Sequence, residues 1–334
     1  IFGYTRVPDA YYEAVVSWFS RRHGWAINRD WMIYTSGVVP AVSAVIKALT
    51  KPGDSVLVQT PVYNCFFSSI RNNGCTLVAN PLIYEENSYR IDYEDLEKKA
   101  SDGRVKVMLL CNPHNPAGRV WRREELERIG EICIRHGVVV VSDEIHCELV
   151  YPGYSYTPFA SISDDFLRHS VTCISPSKAF NIAGLQIANI VAFDPQMRKW
   201  IDKAINVNEV CDVNPFGVIA TVAAYNEGEE WLGQLLDYLK GNYETMVEVC
   251  EHHLPDFPVA RLEGTYLVWM DCHSLPFSSE ELERLLLKDA KLWLNAGAMY
   301  GEAGEGFMRW NIACPRKVMM EGLRRFRSFV CKCR

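Results

Sequence analysis

The middle of the chain is written in short apolar runs separated by longer amphipathic ones. Ser55–Gln59 (SVLVQ), Cys75–Ala79, Val105–Cys111 (VKVMLLC), Val138–Ser142, Val171–Ser175 and Ile187–Phe193 are each dominated by apolar residues. Such runs predict strands covered on both faces. Between them, Pro61–Asn73 predicts a helix with Pro61 in its first turn. Arg122–His136 carries Leu126, Ile129, Ile132 and Cys133 at helical spacing and is stopped by Gly137. Repeated strand and helix signals of this kind predict a mainly parallel sheet covered by helices.

After about residue 229 the pattern changes. Glu230–His252 predicts a long helix with Trp231, Leu235, Leu236, Leu239, Tyr243 and Met246 on one side. Val259–Leu262 and Tyr266–Asp271 predict strands, separated by Glu263–Gly264–Thr265. A helix is expected over Ser279–Asp289, opening on the capping pattern S-S-E-E. A strand near Phe307–Ile312 and a helix from Pro315 complete this α+β block. The expected domains are 1–229 and 230–334.

The composition allows this reading without adding to it. A chain of 334 residues with 49% hydrophobic and 23% charged positions can bury a core without staples. Its 35 basic and 41 acidic side chains give a net charge of −6, so neither nucleic acid nor acidic lipid is an expected partner. The 12 cysteines include no C-x-x-C pair, so zinc-ribbon and thioredoxin-like readings lack support, and no metal is expected. Cys331 and Cys333 read as free tail thiols. Scattered unpaired thiols, with no N-x-S/T sequon, predict a reducing, cytoplasmic setting. No apolar run reaches the roughly 18 residues that span a bilayer. No signal peptide is visible, although the first residue is Ile1.

In an open α/β sheet, chemistry collects just past the carboxyl ends of the strands. Four segments there stand out. Ser175–Leu185 (SPSKAFNIAGL) places Lys178 among small hydroxyl residues, where a lysine with a lowered pKa acts as a nucleophile. Ser142–His146 (SDEIH) follows the VVVV run and offers Asp143 to a protonated ring nitrogen. Cys111–Gly118 (CNPHNPAG) is rich in turn residues. Thr35–Val39 (TSGVV) opens a predicted helix through Ala48, and helix N-termini favour phosphate. It lacks the glycine spacing of a P-loop or a dinucleotide fingerprint. Taken singly, each segment also fits a plainer role: a solvated lysine, a capping aspartate, an ordinary turn or an ordinary helix start.

Their order in one α/β chain is more specific. The sequence resembles the fold-type I pyridoxal-phosphate (PLP) enzymes of the class I/II aminotransferase family, over essentially its whole length. Within the family it looks most like the cystathionine β-lyase/cystalysin branch of carbon–sulfur lyases. The segments that carry the likeness are FGYTR (2–6), SGVVPA (36–41), TPVYNCF (60–66), LLCNPHNPAGRVW (109–121), SDEIHCE (142–148), SKAFNIAGLQ (177–186) and YGEAGEGFMRWNIACPR (300–316).

The resemblance implies an aminotransferase-like large domain with a mainly parallel seven-stranded sheet and a smaller C-terminal domain. It implies that Lys178 bonds PLP covalently and that Asp143 keeps the pyridine nitrogen protonated. Asn115 would contact the phenolic oxygen, and His146 stands where many aminotransferases carry a tyrosine. Tyr63 would stack on the ring and border the substrate. The Val38 and Val39 backbone, with Ser175 and Ser177, would hold the phosphate. Tyr4 would reach the phosphate of a neighbouring subunit, which implies a homodimer with shared sites. Arg309 would bind the carboxylate of an amino-acid substrate. The activity implied is α,β-elimination from L-cystathionine or a related L-cysteine S-conjugate, giving pyruvate, ammonia and a thiol. The alternative is an aminotransferase acting on an amino acid and a 2-oxo acid.

Two departures matter. Typical aminotransferases carry an arginine eight residues after the Schiff-base lysine, where this chain has Gln186. That loss of a cationic phosphate partner favours the lyase branch. Relatives also carry several dozen residues before the FGYT segment, which contribute to the smaller domain.

Overall fold

The computed structural model describes residues 4–207 and 212–333. In chain order its strands are β1 (Met32–Thr35), β2 (Ser55–Thr60), β3 (Thr76–Pro81), the hairpin β4 (Ile83–Glu85) and β5 (Ser88–Arg90), β6 (Val105–Cys111), β7 (Val139–Asp143), β8 (Ser170–Ile174), β9 (Ala188–Ala192), β10 (Leu267–Asp271), β11 (Asn295–Ala296) and β12 (Phe307–Asn311). Seven of them form one sheet in the order β1-β9-β8-β7-β6-β2-β3. The pairs from β8 to β3 are parallel, whereas β9 runs antiparallel to both β8 and β1. Six strands therefore point one way and β9 the other.

The apolar runs make this sheet because both of its faces are covered. Successive strand residues point to opposite faces. Val56, Val58, Val107 and Leu109 meet Ala41, Val42, Val45 and Ile46 of the helix Val38–Leu49 on one side. Leu57, Met108 and Leu110 meet Leu126, Ile129, Ile132 and Cys133 of the helix Arg123–Arg135 on the other. All are buried. A helix unread in the sequence, Asp9–His23, packs Trp18 and Phe19 against Val218 and Tyr225 of the helix Pro215–Glu227.

The C-terminal part is a three-stranded antiparallel sheet, β10-β12-β11. Val268, Met270, Met308 and Trp310 share a core with Leu239 and Met246 of the helix Glu229–His253 and with Leu323 and Phe326 of the helix Arg316–Cys333.

Two expected elements differ. The helix after β2 starts at Cys65, not Pro61. The Val62 N–H is committed to the Tyr300 carbonyl at 2.9 Å, so Pro61–Asn64 is a loop tied to the C-terminal part. Val259–Leu262 is not a strand. It makes one bridge, Val259 to Met270, and the Ala260 N–H donates to the Trp269 carbonyl at 2.7 Å. The expected helix over Ser279–Asp289 holds its α form to Leu285 and widens into a π turn over Leu286–Ala290.

Candidate active site

The parallel strands deliver their carboxyl ends to one side of the sheet, and a cavity of about 340 Å³ lies there. Its walls include Gly37, Val38, Val39, Tyr63, Asn115, Asp143, His146, Ser177, Lys178 and Arg309. Nine of the residues singled out in the sequence thus face a single space, although they lie on segments spread from residue 38 to residue 309.

Asp143 is the last residue of β7, paired with Cys111, the last of β6. Its Oδ1 accepts the Ile145 N–H at 3.1 Å. Burial pushes its carboxyl up to about 7; Glu144 adds to the rise, while the Ile145 N–H and the Lys178 charge oppose it. The carboxyl is therefore poised to ionise fully once a cation is set against it. Glu144, also buried, anchors the turn that follows. It accepts hydrogen bonds from the Ser142 hydroxyl at 2.7 Å, the Phe159 N–H at 2.9 Å and the Tyr156 hydroxyl.

His146 is buried, and burial together with the charges of Lys178 and Arg309 lowers its ring to about 3. It is neutral at physiological pH, and its Nδ1 has no partner among the described residues. Asn115 sits in the turn after β6. That turn is closed by the His114 N–H on the Arg119 carbonyl and the Gly118 N–H on the His114 carbonyl, both 2.8 Å. Gly118 is required there: its φ is +70°, and a Cβ would lie 2.8 Å from Leu262 Cδ1.

Arg309 comes from β12. Its Nη1 donates to Asn115 Oδ1 at 3.1 Å and its Nη2 to Asn295 Oδ1 at 2.8 Å, while its guanidinium lies 4.9 Å from the Tyr300 ring centre. Its buried Nε is left without a partner. Such an orphaned charge-bearing donor in a cavity wall is suited to a carboxylate. Lys178 follows β8 and is half-buried; its ammonium has no hydrogen-bond or ion-pair partner among the described residues.

Two residues expected at a phosphate lie off this chain's own cavity wall. Ser175 does not line the cavity. Its hydroxyl donates to the Ile187 carbonyl at 2.6 Å and accepts the Ser177 N–H at 3.1 Å, so it positions Ser177, which does line it. Tyr4 also lies off the cavity wall and is 98% exposed. Gln186 is exposed and off the wall as well. Conversely, Cys111, Tyr266 and Asn311 line the cavity without having been singled out. The sequence pattern marks Tyr266 only as the start of a strand, while Asn311 falls within the 300–316 segment that carries the family likeness.

The donor set has a shape. The helix Val38–Leu49 presents first-turn N–H groups to an anion. Asp143 offers a carboxylate to a cationic ring atom, Tyr63 a flat face, and Lys178 an unpaired amine. These groups fit a flat pyridinium bearing a phosphate, and the free face of Arg309 is left for a second anion.

Residues 1–326 match the family described as aminotransferase class I and II. The chain is 43% identical to cystathionine β-lyase PatB of Bacillus subtilis, over 98% of this chain and 85% of that protein. It is 32% identical to MalY of Escherichia coli, over 97% of this chain and 83% of that one. Among solved structures, cystalysin from Treponema denticola, described as containing a pyridoxal 5′-phosphate cofactor, is 35% identical with a TM-score of 0.98, covering 100% of this chain and 85% of that one. A PLP-bound C–S lyase from Staphylococcus hominis is 34% identical with a TM-score of 0.93, covering 99% and 86%.

Proposed function

The chain belongs to the aminotransferase class I and II family, and on that premise we propose how its residues divide the work of a carbon–sulfur lyase. It is a PLP-dependent β-lyase that converts L-cystathionine or related L-cysteine S-conjugates to pyruvate, ammonia and a thiol. The observation that carries the assignment of roles is that Asp143, Asn115, Lys178 and Arg309 converge on one cavity.

When bound, the cofactor supplies an electron sink for the negative charge left at the substrate Cα. The chain's own residues do the rest. Lys178 would hold the cofactor covalently, and its Nζ would take the substrate Cα proton and return a proton to the departing sulfur. The Asp143 carboxylate holds the proton on the pyridine nitrogen, and its burial strengthens that interaction. Asn115 would donate to the phenolic oxygen from its amide nitrogen, because Arg309 already occupies its Oδ1. Neutral His146 lines the same cavity and adds no charge to it. Val38, Val39 and Ser177 cradle the phosphate through N–H and hydroxyl donors. Tyr63 covers the ring. Arg309 takes the substrate carboxylate and so fixes the orientation of the Cα–H bond.

Residues 1–229 form the cofactor-binding unit in this reading, and 230–334 the smaller unit that brings Arg309. Tyr4, exposed in the single chain, is assigned to the phosphate of a second copy in a homodimer. No helix among the described residues is long and apolar enough to cross a membrane. The eleven described cysteines are all free, which supports a cytoplasmic setting.

The test is to incubate the PLP-loaded protein with L-cystathionine without any 2-oxo acid. Pyruvate and thiol released in equal amounts are expected. Turnover that appears only when a 2-oxo acid is added would overturn the lyase reading in favour of transamination.

A further inference from the structure

The space around Lys178 continues past it. A second cavity of about 370 Å³ lies beyond, and Lys178, Tyr266 and Asn311 line both spaces. Its remaining walls include Trp231, Leu235, Tyr238 and Cys314, and of all its lining residues only Lys178 is charged. Tyr266 is the bulky member of the shared wall.

Its position is unusually well determined. The preceding residue, Thr265, is fully buried and has φ +69°. A β-branched residue adopts that conformation only where its surroundings impose it. Here every polar group of Thr265 is used. Its N–H donates to the Leu149 carbonyl at 2.7 Å, its carbonyl accepts the Tyr151 hydroxyl at 2.7 Å, and its Oγ1 accepts the Leu267 N–H at 3.1 Å. Gly264, one residue earlier, has no room for a side chain: a Cβ would lie 2.8 Å from the Leu149 carbonyl oxygen and 2.8 Å from Val120 Cγ2. Leu149 and Tyr151 continue the segment that bears Asp143 and His146. The Gly118 carbonyl, in the turn that bears Asn115, accepts the N–H groups of Glu263 at 2.8 Å and Gly264 at 3.1 Å. The ring of Tyr266 meets His146 edge-on, with centroids 5.9 Å apart and planes at 80°. The same two segments that present the cofactor-facing residues therefore also clamp Glu263–Thr265, the residues that lead into Tyr266.

We infer that Tyr266 is a specificity-determining residue: its ring partitions the two cavities and limits the bulk that a substrate carries on its sulfur. This rests on the carbon–sulfur lyase reading. Shortening the side chain joins the first cavity to one walled by aromatic and aliphatic groups. An uncharged aryl substituent gains burial there, whereas a small alkyl substituent has nothing further to reach.

The experiment compares S-methyl-L-cysteine and S-benzyl-L-cysteine as substrates of PLP-loaded wild type, Tyr266→Ala and Tyr266→Leu, measuring kcat/KM from pyruvate and thiol release. The benzyl-to-methyl ratio is expected to rise by about tenfold or more in Tyr266→Ala, and by less in Tyr266→Leu. Leu keeps apolar bulk at the position, so it serves as the folded control if the alanine variant is unstable. Wild type active on both conjugates with the ratio unchanged in the variants overturns the inference alone. Wild type that releases pyruvate and thiol from L-cystathionine but from neither conjugate overturns the inference alone, and wild type that releases them from none of the three overturns it together with the lyase reading.

Discussion

Arg309 donates to Asn115 at 3.1 Å across 194 positions of sequence, from the C-terminal antiparallel sheet to the turn after β6. The contact fixes the acceptor oxygen of the Asn115 amide and so turns its nitrogen toward the cavity. It also ties the assigned carboxylate anchor to a cofactor contact. Replacing Arg309 therefore has two consequences. Arg309→Lys keeps the charge and loses the fork. Its KM for L-cystathionine should rise by roughly 10- to 100-fold, in keeping with about 1.5–3 kcal/mol for a charged hydrogen bond. Arg309→Ala should also lower kcat, because Asn115 loses its orienting partner. Steady-state kinetics on both variants checks this.

Lys178→Ala should lower pyruvate release by at least about 10³-fold, as expected when one group serves as nucleophile, base and acid. The melting temperature should change little, since the Lys178 ammonium holds no partner among the described residues. Near-normal turnover would sink the assignment.

Asp143 sets stability against function. Its carboxyl is raised from 3.8 to about 7 in the cofactor-free chain, chiefly by burial. The folded state thus binds a proton that the unfolded state has already released. Stability contributed by this group is present below about pH 4 and is lost as the pH rises to about 7. The loss approaches about 4 kcal/mol at roughly 1.4 kcal/mol per pKa unit. Asp143→Asn removes the penalty. The cofactor-free variant should melt above cofactor-free wild type at pH 8, with the gap closing toward pH 4, while its turnover with PLP falls by about 10²-fold or more. Calorimetry across that pH range, with and without PLP, tests both halves.

Arg119 is buried between Glu125, at 2.9 Å, and Glu263, at 2.8 Å, with its guanidinium 4.8 Å from the Trp121 ring centre. Arg119→Met strands two carboxylates in the interior. It should cost about 3–5 kcal/mol, read as a lowered urea midpoint. Because Glu263 leads into Gly264, Thr265 and Tyr266, the same variant should also relax discrimination between S-substituents.

The parts legible in the sequence were those where one physical demand dominates. Val105–Cys111 is a strand of those same bounds because a central parallel strand is apolar on both faces. Asp143 and Lys178 were legible from their places just past such strands. Met32–Thr35 escaped notice because it is a four-residue edge strand with two half-buried positions. Pro61 was misleading because proline also suits a loop, and a distant carbonyl, that of Tyr300, takes the next N–H. Ser175 was placed in the site by its neighbours, but its hydroxyl is spent on Ile187. Tyr266 could not be singled out from pattern alone. Its role depends on a left-handed threonine and on carbonyls more than 100 residues away, which no local periodicity encodes.

The cavity draws on residues from Gly37 to Asn311. No shorter stretch of the chain holds the complete set, so cofactor capture acts as an inspection of the finished product. A chain cut anywhere between those two positions, or lacking the last residue of β12, leaves the ligand with only part of its cradle. In a mixed preparation the coloured fraction would count the molecules assembled from end to end, a proofreading signal that comes from the layout alone.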